Sequence, residues 1–290
     1  MPNHRVATLV DLHAHTSASD GGDGPSQLVE AAAASGVGVL AVTDHDTVAA
    51  VAEAAAAGER LGVEVLAGCE LTVSVAGRVV HVLLYGEGLV APDLADAVEA
   101  ARRGRHERNL AIGGRLLRLT GVGHEQAAAL AGGSALSRAH FARALVARGA
   151  VADVAEAFDR YLSAGRPAYV PAPSVTVTDA VALAGKAGGV AVLAHPGRIG
   201  DDQREAVLGE ALEAGIDGVE VWHPQHDAEL RRRLLRLTER RGLLATGGSD
   251  YHGVHKPGVR LGSGVDGNVA VPGELLERLR DRLAKHAPAG

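Results

Sequence analysis

A chain of 290 residues fits one barrel-sized domain with room for an insertion, rather than two full domains. Apolar residues supply 47% of it but aromatics only 2%, so the core has to be packed from Ala, Val and Leu. The net charge of -6 excludes a protein that coats nucleic acid through a broad basic face. A small phosphorylated ligand stays admissible, because bound cations can supply the local positive charge. Cys69 is the single cysteine, which excludes an intramolecular disulfide and a thiolate zinc site; it reads as a small buried residue. Met1 to Arg5 carries no signal-peptide pattern, and no apolar run approaches the roughly 20 residues of a membrane span. A soluble, cytoplasmic protein is expected, with no membrane contact and no protein partner inferable.

Taken in chain order, Arg5 to Val10 reads as a strand delivering Asp11-Leu-His13-Ala-His15, with Asp20 close behind. Pro25 to Ala34 reads as a helix ending at Gly36. The apolar run Val37 to Val42 delivers Thr43-Asp44-His45-Asp46, and Asp46 or Thr47 caps a helix that stops at Gly62. Strands around Val65 and Val80 follow with little between them, a hairpin in outline; Val63 to Ala67 leads into Glu70 and Val79-Val80 precedes His81, so both are expected at strand ends. From Leu94 to Leu119 the pattern is a long helix broken near Gly113-Gly114, and three short helices follow: His124 to Leu130, Ser137 to Arg148, and Val154 to Leu162. This strand-free stretch predicts a small all-helical insertion at 101–165 between a first barrel part at 1–100 and a second at 166–290, with Gly165 to Pro171 as the return. Alternation then resumes. A helix from Thr178 or Asp179 precedes a strand to Ala194, which ends at His195-Pro196. A helix from Asp202 to Ala214 precedes the strand Gly218 to Trp222. Another helix leads to a strand near Leu244 that runs on to Ser249-Asp250-Tyr251-His252, and a last helix covers Gly273 to Lys285. Short β-rich runs each followed by a helix predict an α/β fold with a mostly parallel sheet.

If such a sheet closes into a barrel, functional residues belong at the C-terminal ends of its strands. His13 and His15 stand two apart on a strand end, so both side chains point to one side; Asp250 and His252 repeat the spacing. The candidate metal ligands are His13, His15, Asp20, His45, Glu70, His81, His195, Asp250 and His252. Imidazoles and carboxylates without thiolates suit Mn, Fe or Zn. A catalytic ion takes about three protein ligands, so this set is enough for three ions or for a crowded pair. Asp11, Asp44 and Asp46 lie beside the histidines and are candidates to hydrogen-bond their rings. His223 is expected at the same mouth as a substrate or leaving-group contact, with Glu220 supporting. His4, His106, His124, His255 and His286 read as surface residues, and Arg231 to Arg233 as a solvated helix face.

As an ordered set covering nearly the whole chain, Asp11-Leu-His-Ala-His15 with Ser19-Asp20, Thr43-Asp-His-Asp46, Glu70, His81, Ala194-His-Pro196 and Ser249-Asp-Tyr-His252 resemble the motifs of the PHP (polymerase and histidinol phosphatase) phosphoesterases. The resemblance implies a distorted (βα)7-8 TIM-like barrel of the PHP type with a trinuclear centre. One ion would take His13, His15, Glu70 and Asp250; a second Glu70, His81 and His195; a third Asp20, His45 and His252. Three divalent ions are implied, Mn2+ foremost, with Fe2+ or Zn2+ as alternatives. Leu136 to Leu145, Tyr161-Leu162 and Arg166-Pro-Ala-Tyr169 resemble the insertion of members that act on nucleotides, above all the 3',5'-nucleotide bisphosphate phosphatase group. That likeness implies removal of the 3'-phosphate, as in pAp to AMP, by metal-hydroxide attack. His223 and Asp250 would then be catalytic, and Arg138, His140 and His223 would contact substrate, with Arg138 gripping the phosphate that does not react. A related branch, 5'-to-3' exoribonucleases on short RNA, is the rival of the same class. A non-catalytic, metal-stabilised binding module is the rival of another class.

Overall fold

In the computed structural model, residues 9–76, 78–131, 136–171 and 175–287 are described; His4 and the start of the first expected strand lie outside them. Strand β1 (Leu9–Ala14) pairs in parallel with β2 (Val37–Val42), and β2 with the start of β3 (Glu64–Val75). β3 turns back into β4 (Arg78–Tyr85) as the expected hairpin, in register from Gly68 against Tyr85 to Val75 against Arg78. β4 pairs antiparallel with β5 (Val190–Leu193), after which β6 (Gly218–Trp222) and β7 (Leu244–Gly247) add in parallel. The sheet therefore has seven strands in sequence order, mostly parallel and antiparallel only around β4. No ladder among the described residues joins β7 to β1. Just beyond β7, however, Asp250 N donates to His13 O at 2.9 Å and His15 N donates to Tyr251 O at 3.0 Å. This is the α/β arrangement of a distorted TIM-like barrel.

Helices α1 (Pro25–Ala34) and α2 (Val51–Leu61) cover β1 and β2, burying Leu28, Val29, Ala32, Ala54 and Ala57 against Leu40 and Val42. A second apolar cluster joins Val10, Leu12, Val39, Ala41, Leu83, Val192 and Leu244 to Leu276 and Leu279 of the last helix, α10 (Gly273–His286). With so few aromatics, this aliphatic packing carries the core, as the composition requires. Gly62, at a φ of 71°, ends α2 in the left-handed conformation that favours glycine. The start of α2 corrects the expected cap. The helix begins at Val51, while Asp46 accepts hydrogen bonds from Thr72 N and Oγ1 instead.

The chain forms two compact units, Met1–Val98 with Val175–Gly290, and Glu99–Ser174. In the second, no described residue is in a strand. Helix α3 (Pro92–Thr120) is continuous through Gly113-Gly114, contrary to the expected break. A Cβ on Gly113 would stand 2.6 Å from His124 N, so the glycine admits the neighbouring helix α4 (His124–Ala131) and does not interrupt its own. Helix α5 (Arg138–Ala147) starts behind Ser137, and α6 (Val154–Ala157) runs into a π-turn over Phe158–Leu162. Ile112, Leu116, Phe141, Leu145 and Leu162 form this unit's own core. Helices α7 (Val177–Lys186), α8 (Asp201–Glu213) and α9 (Ala228–Arg241) complete the alternation in the first unit. A short hairpin, β8 (Val259–Arg260) with β9 (Gly264–Val265), was not expected from the sequence. No helix of the described residues is long and apolar enough to cross a membrane.

Candidate metal centre

The end of β1 carries His13 and His15, and the loop behind it brings back Asp20. His45 follows β2 and His195 follows β5, while Asp250 and His252 follow β7. Glu70 and His81 do not stand at strand ends, which corrects the expectation. Glu70 lies within β3, and His81 lies opposite Thr72 near the start of β4. Because β4 runs against its neighbours, its first half lies beside the C-terminal ends of the parallel strands. Glu70 bridges to His45 on one side, and Ala194 N donates to His81 O at 3.0 Å on the other. The backbone at the rim is forced into unusual conformations. Asp46, His195 and Asp250 have φ of 49°, 26° and 53°, values that cost non-glycine residues free energy and cluster at functional sites. Gly248 lets the chain pass His13, since a Cβ there would lie 2.4 Å from His13 N.

Glu70 is the hub. Its Oε1 lies 2.7 Å from His195 Nε2 and 2.9 Å from His81 Nδ1. Its Oε2 lies 3.3 Å from both His13 Nε2 and His15 Nε2 and 3.1 Å from His45 Nδ1. Asp20 gathers a second group, with Oδ1 3.2 Å from His252 Nε2 and 3.5 Å from His15 Nδ1, and Oδ2 3.6 Å from His45 Nε2. Asp250 Oδ1 approaches His15 Nε2 to 3.3 Å and His13 Nε2 to 3.7 Å. Three ligand clusters result: His15, Asp20, His45 and His252; His13, His15 and Glu70; and His45, Glu70 and His81. His195 and Asp250 fall outside these three and join through Glu70 and the β1 histidines.

The donor chemistry of this arrangement fits cations. His13 Nε2, both ring nitrogens of His15, Asp20 Oδ2, His45 Nδ1 and His81 Nδ1 are buried without a hydrogen-bond partner among the described residues, a costly condition for polar atoms. Two tautomers follow from the network. His252 Nδ1 must donate to Asp250 O at 2.9 Å, because a carbonyl only accepts. His13 Nδ1 donates to Glu220 Oε1 at 2.9 Å. The Nε2 of each ring then faces carboxylate oxygens, so that a proton or a cation has to stand between nitrogen and oxygen, and a cation there takes the ring nitrogen as a ligand. Burial holds the His45 imidazole well below its usual pKa and that of His195 down at about 4, so both rings stay neutral with a lone pair to give. At His13 and His15 burial works in the same direction but is overcome. Glu220 and Glu70 push His13 well up, while Asp250 and Glu70 push His15 up to about 9.

Glu220 takes the supporting role expected of it. Besides orienting His13, it accepts from His195 N at 2.7 Å. Burial disfavours its charge, yet His13 and the neighbouring histidines hold the carboxyl down at about 2. Asp11 and Asp44 do not hydrogen-bond the rings as expected. Asp11 accepts from the backbone N–H groups of His13, Ser249 and Gly262, tying the end of β1 to the segments that follow β7. Asp44 accepts from Thr16 N and Oγ1 and from Ser19 Oγ. His223 is buried beside the centre. Its Nδ1 accepts from Gln225 N at 3.1 Å, which leaves Nε2 as the donor toward Asp250 Oδ2 at 3.3 Å. His226 is buried, with Nδ1 donating to Val221 O at 2.9 Å and Nε2 accepting from Gly197 N at 3.0 Å.

Arg231 is no purely solvated residue, since it donates to His223 O. His106, His255 and His286 are exposed, but His255 donates to Asp20 O and His286 to Gly189 O; His124 is half-buried against His106 and Phe141. Cys69 is a buried free thiol whose pKa burial pushes well up. Two cations passed over in the sequence, Lys256 and Arg198, reach Asp250 Oδ2 at 2.6 and 3.7 Å. Their only sequence signal is proximity to the His252 and His195 motifs. In the helical unit, the Arg138 guanidinium lies 5.8 Å from the ring centroids of both Phe158 and Tyr169 and donates to Leu162 O. His140 closes a capping box by accepting from Ser137 N at 3.1 Å.

The sequence matches the model of a known family, the PHP domain, over residues 11–168. The chain belongs to the PHP domain family. A PHP relative from Chromobacterium violaceum, a 3',5'-nucleoside bisphosphate phosphatase, is 36% identical over 266 residues, spanning 87% of this chain and 90% of its own length. A 5'-3' exoribonuclease of Haemophilus influenzae is 35% identical over 247 residues, 83% of this chain and 89% of the relative. A solved structure from Bifidobacterium adolescentis, assigned as a metal-dependent phosphoesterase, superposes with a TM-score of 0.69 at 33% identity, covering 95% of this chain and 96% of that one. This PHP protein is a metal-dependent phosphoesterase, a hydrolase.

Proposed function

We propose that the protein hydrolyses the 3'-phosphate of nucleoside 3',5'-bisphosphates, converting a substrate such as adenosine 3',5'-bisphosphate to AMP and inorganic phosphate. The observation that carries this reading is the likeness to the Chromobacterium violaceum bisphosphate phosphatase along nearly the full length of both chains. It is supported by a carboxylate, Glu70, whose two oxygens face different histidines, as a bridge between ions requires. Three divalent ions, manganese foremost, suit the three ligand clusters. When bound, such ions lower the pKa of water and neutralise charge on a phosphoryl group.

The chain's own residues then have distinct tasks. His13, His15, His81, His195 and Glu70 hold one part of the centre, and Asp20, His45 and His252 another, with Asp250 beside His15. Glu220 keeps the His13 lone pair aimed inward. In the reaction a water oxygen joins phosphorus, the bond from phosphorus to the 3'-oxygen breaks, and that oxygen takes a proton. His223, with its Nε2 proton directed at Asp250, is the proton-handling group of this reading. Arg138 and His140 contact the phosphate that does not react, so that binding at a distance orients the one that does.

The likeness to the Haemophilus influenzae exoribonuclease favours a second reading, 5'-to-3' hydrolysis of short RNA. A phosphate-release assay with Mn2+ separates them. It compares adenosine 3',5'-bisphosphate, 3'-AMP, 5'-AMP, histidinol phosphate and a 5'-phosphorylated RNA dinucleotide. Highest kcat/KM on the bisphosphate is expected. Preference for the dinucleotide, with release of mononucleotide, replaces the first reading by the second.

A further inference from the structure

Asp250 divides its carboxylate between two settings. Oδ1 faces ring nitrogens of His15, His252 and His13 at 3.3, 3.5 and 3.7 Å. Oδ2 faces three donors instead: Lys256 Nζ at 2.6 Å, His223 Nε2 at 3.3 Å and Arg198 Nη1 at 3.7 Å. His223 and Lys256 already supply this oxygen with two hydrogen bonds. Arg198 stands beyond hydrogen-bond distance, and among the described residues its side chain makes no other ion pair and no hydrogen bond.

The two cations also differ from the rest of the cluster in exposure. The Asp250 side chain is 7% exposed, against 32% for Lys256 and 46% for Arg198. Both therefore stand where a solute arrives, at the edge of a buried group of ligands. To steady the Asp250 carboxylate one cation at hydrogen-bond distance, Lys256, suffices, and the more distant Arg198 is not needed for that purpose. Two positive groups of different shape on the solvent side of one carboxylate oxygen match the needs of an arriving dianion.

We propose that Lys256 and Arg198 form the phosphate-receiving edge of the centre, contacting non-bridging oxygens of the phosphoryl group that reacts. The planar fork of an arginine suits two oxygens of a tetrahedral anion, and an ammonium serves as a point charge for a third. This inference rests on phosphoester hydrolysis but not on the choice of nucleotide, so it survives a failure of the bisphosphate reading.

The test uses the full chain loaded with Mn2+ and inorganic phosphate as the probe. Calorimetric binding of phosphate is compared among wild type, Lys256→Gln, Arg198→Gln and Arg198→Lys, with Mn content measured on each. KM and kcat are taken on whichever phosphomonoester the wild type turns over. Each glutamine variant is expected to weaken phosphate binding about tenfold or more and to raise KM in step, with Mn content unchanged. Arg198→Lys should recover part of the loss. Unchanged phosphate affinity in both glutamine variants would overturn the proposal, as would failure of the wild type to bind phosphate. A fall in Mn content with Lys256→Gln at unchanged phosphate affinity would also overturn it, making Lys256 a positioning residue for Asp250.

Discussion

His13 and Glu220 are joined by a hydrogen bond of 2.9 Å between side chains that are both fully buried. The carboxylate holds the Nδ1 proton, and the opposite nitrogen is thereby committed to Glu70. The same Glu220 also accepts from the backbone of His195, so one residue from the middle of β6 orients two candidate ligands.

Removing this support should be felt at the metal. Glu220→Ala leaves the His13 Nδ1 and His195 N donors unpaired in the interior, and Mn2+ affinity should fall about 10- to 100-fold. Glu220→Gln keeps an acceptor and should lose less. Chelator competition measures both, with circular dichroism to verify the fold. Equal affinity in wild type and Glu220→Ala would remove the orienting role.

Glu70→Gln should cost ions as well as turnover. A carboxamide offers one oxygen where the carboxylate offers two, and both are faced by ring nitrogens. Elemental analysis of wild type is expected to find two to three ions per chain, since a catalytic ion uses about three protein ligands. The variant should hold fewer, down to what Asp20, His15, His45 and His252 retain. A wild-type content of one ion or less that added Mn2+ does not raise would contradict this account.

His226 predicts a pH dependence of stability. Burial holds its folded pKa down at about 4 against an ordinary 6.5, and both ring nitrogens are already committed. The unfolded chain therefore takes up this proton at higher pH than the folded one. The contribution is fully present above pH 6.5 and is lost as pH falls from there toward 4. A shift of this size corresponds to roughly 3 kcal/mol. Denaturant unfolding of wild type and His226→Gln between these limits should diverge, with wild type falling more steeply on acidification. Parallel curves would show that the ring accepts the proton in the folded state.

Arg138→Ala separates the two phosphates of the proposed substrate. If the guanidinium grips the unreacting one, kcat/KM on a 3',5'-bisphosphate should drop about 10- to 150-fold, the equivalent of roughly 1.5–3 kcal/mol for a charge-assisted contact. A 3'-monophosphate should lose little. Lysine in its place should recover only part, because an ammonium lacks the fork. Because Arg138 also packs beside Phe158 and Tyr169, thermal unfolding is the control for scaffold damage. Equal losses on both substrates would assign Arg138 to the scaffold or to the reacting phosphate.

Much of the fold was legible because its signals are local. α1 runs from Pro25 to Ala34 and β6 from Gly218 to Trp222, where punctuation and apolar runs put them. What escaped depends on residues distant in sequence. Gly113 reads as a helix breaker until His124 is seen against it. Glu70 and His81 read as strand ends because hairpin register is a property of pairing, and pairing sets them midway along β3 and near the start of β4. The candidate ligands could be chosen by residue type and spacing, and the structure draws these side chains together. Which carboxylate supports which ring could not be chosen that way. Asp11 and Asp44 sit next to the histidines in sequence, yet their bonds go to backbone amides and hydroxyls, while Glu220 comes from a strand far along the chain.

The left-handed backbone at Asp46, His195 and Asp250 has a thermodynamic corollary. Such conformations cost on the order of 1–3 kcal/mol each, and ring nitrogens buried without a hydrogen-bond partner among the described residues add to that within the same rim. A cation binding there acts as a folding ligand, because it favours the native chain over the denatured one by mass action. Melting temperature thus becomes a gauge of occupancy. It should climb with added Mn2+ and retreat with a chelator, reporting on the centre through calorimetry without any turnover.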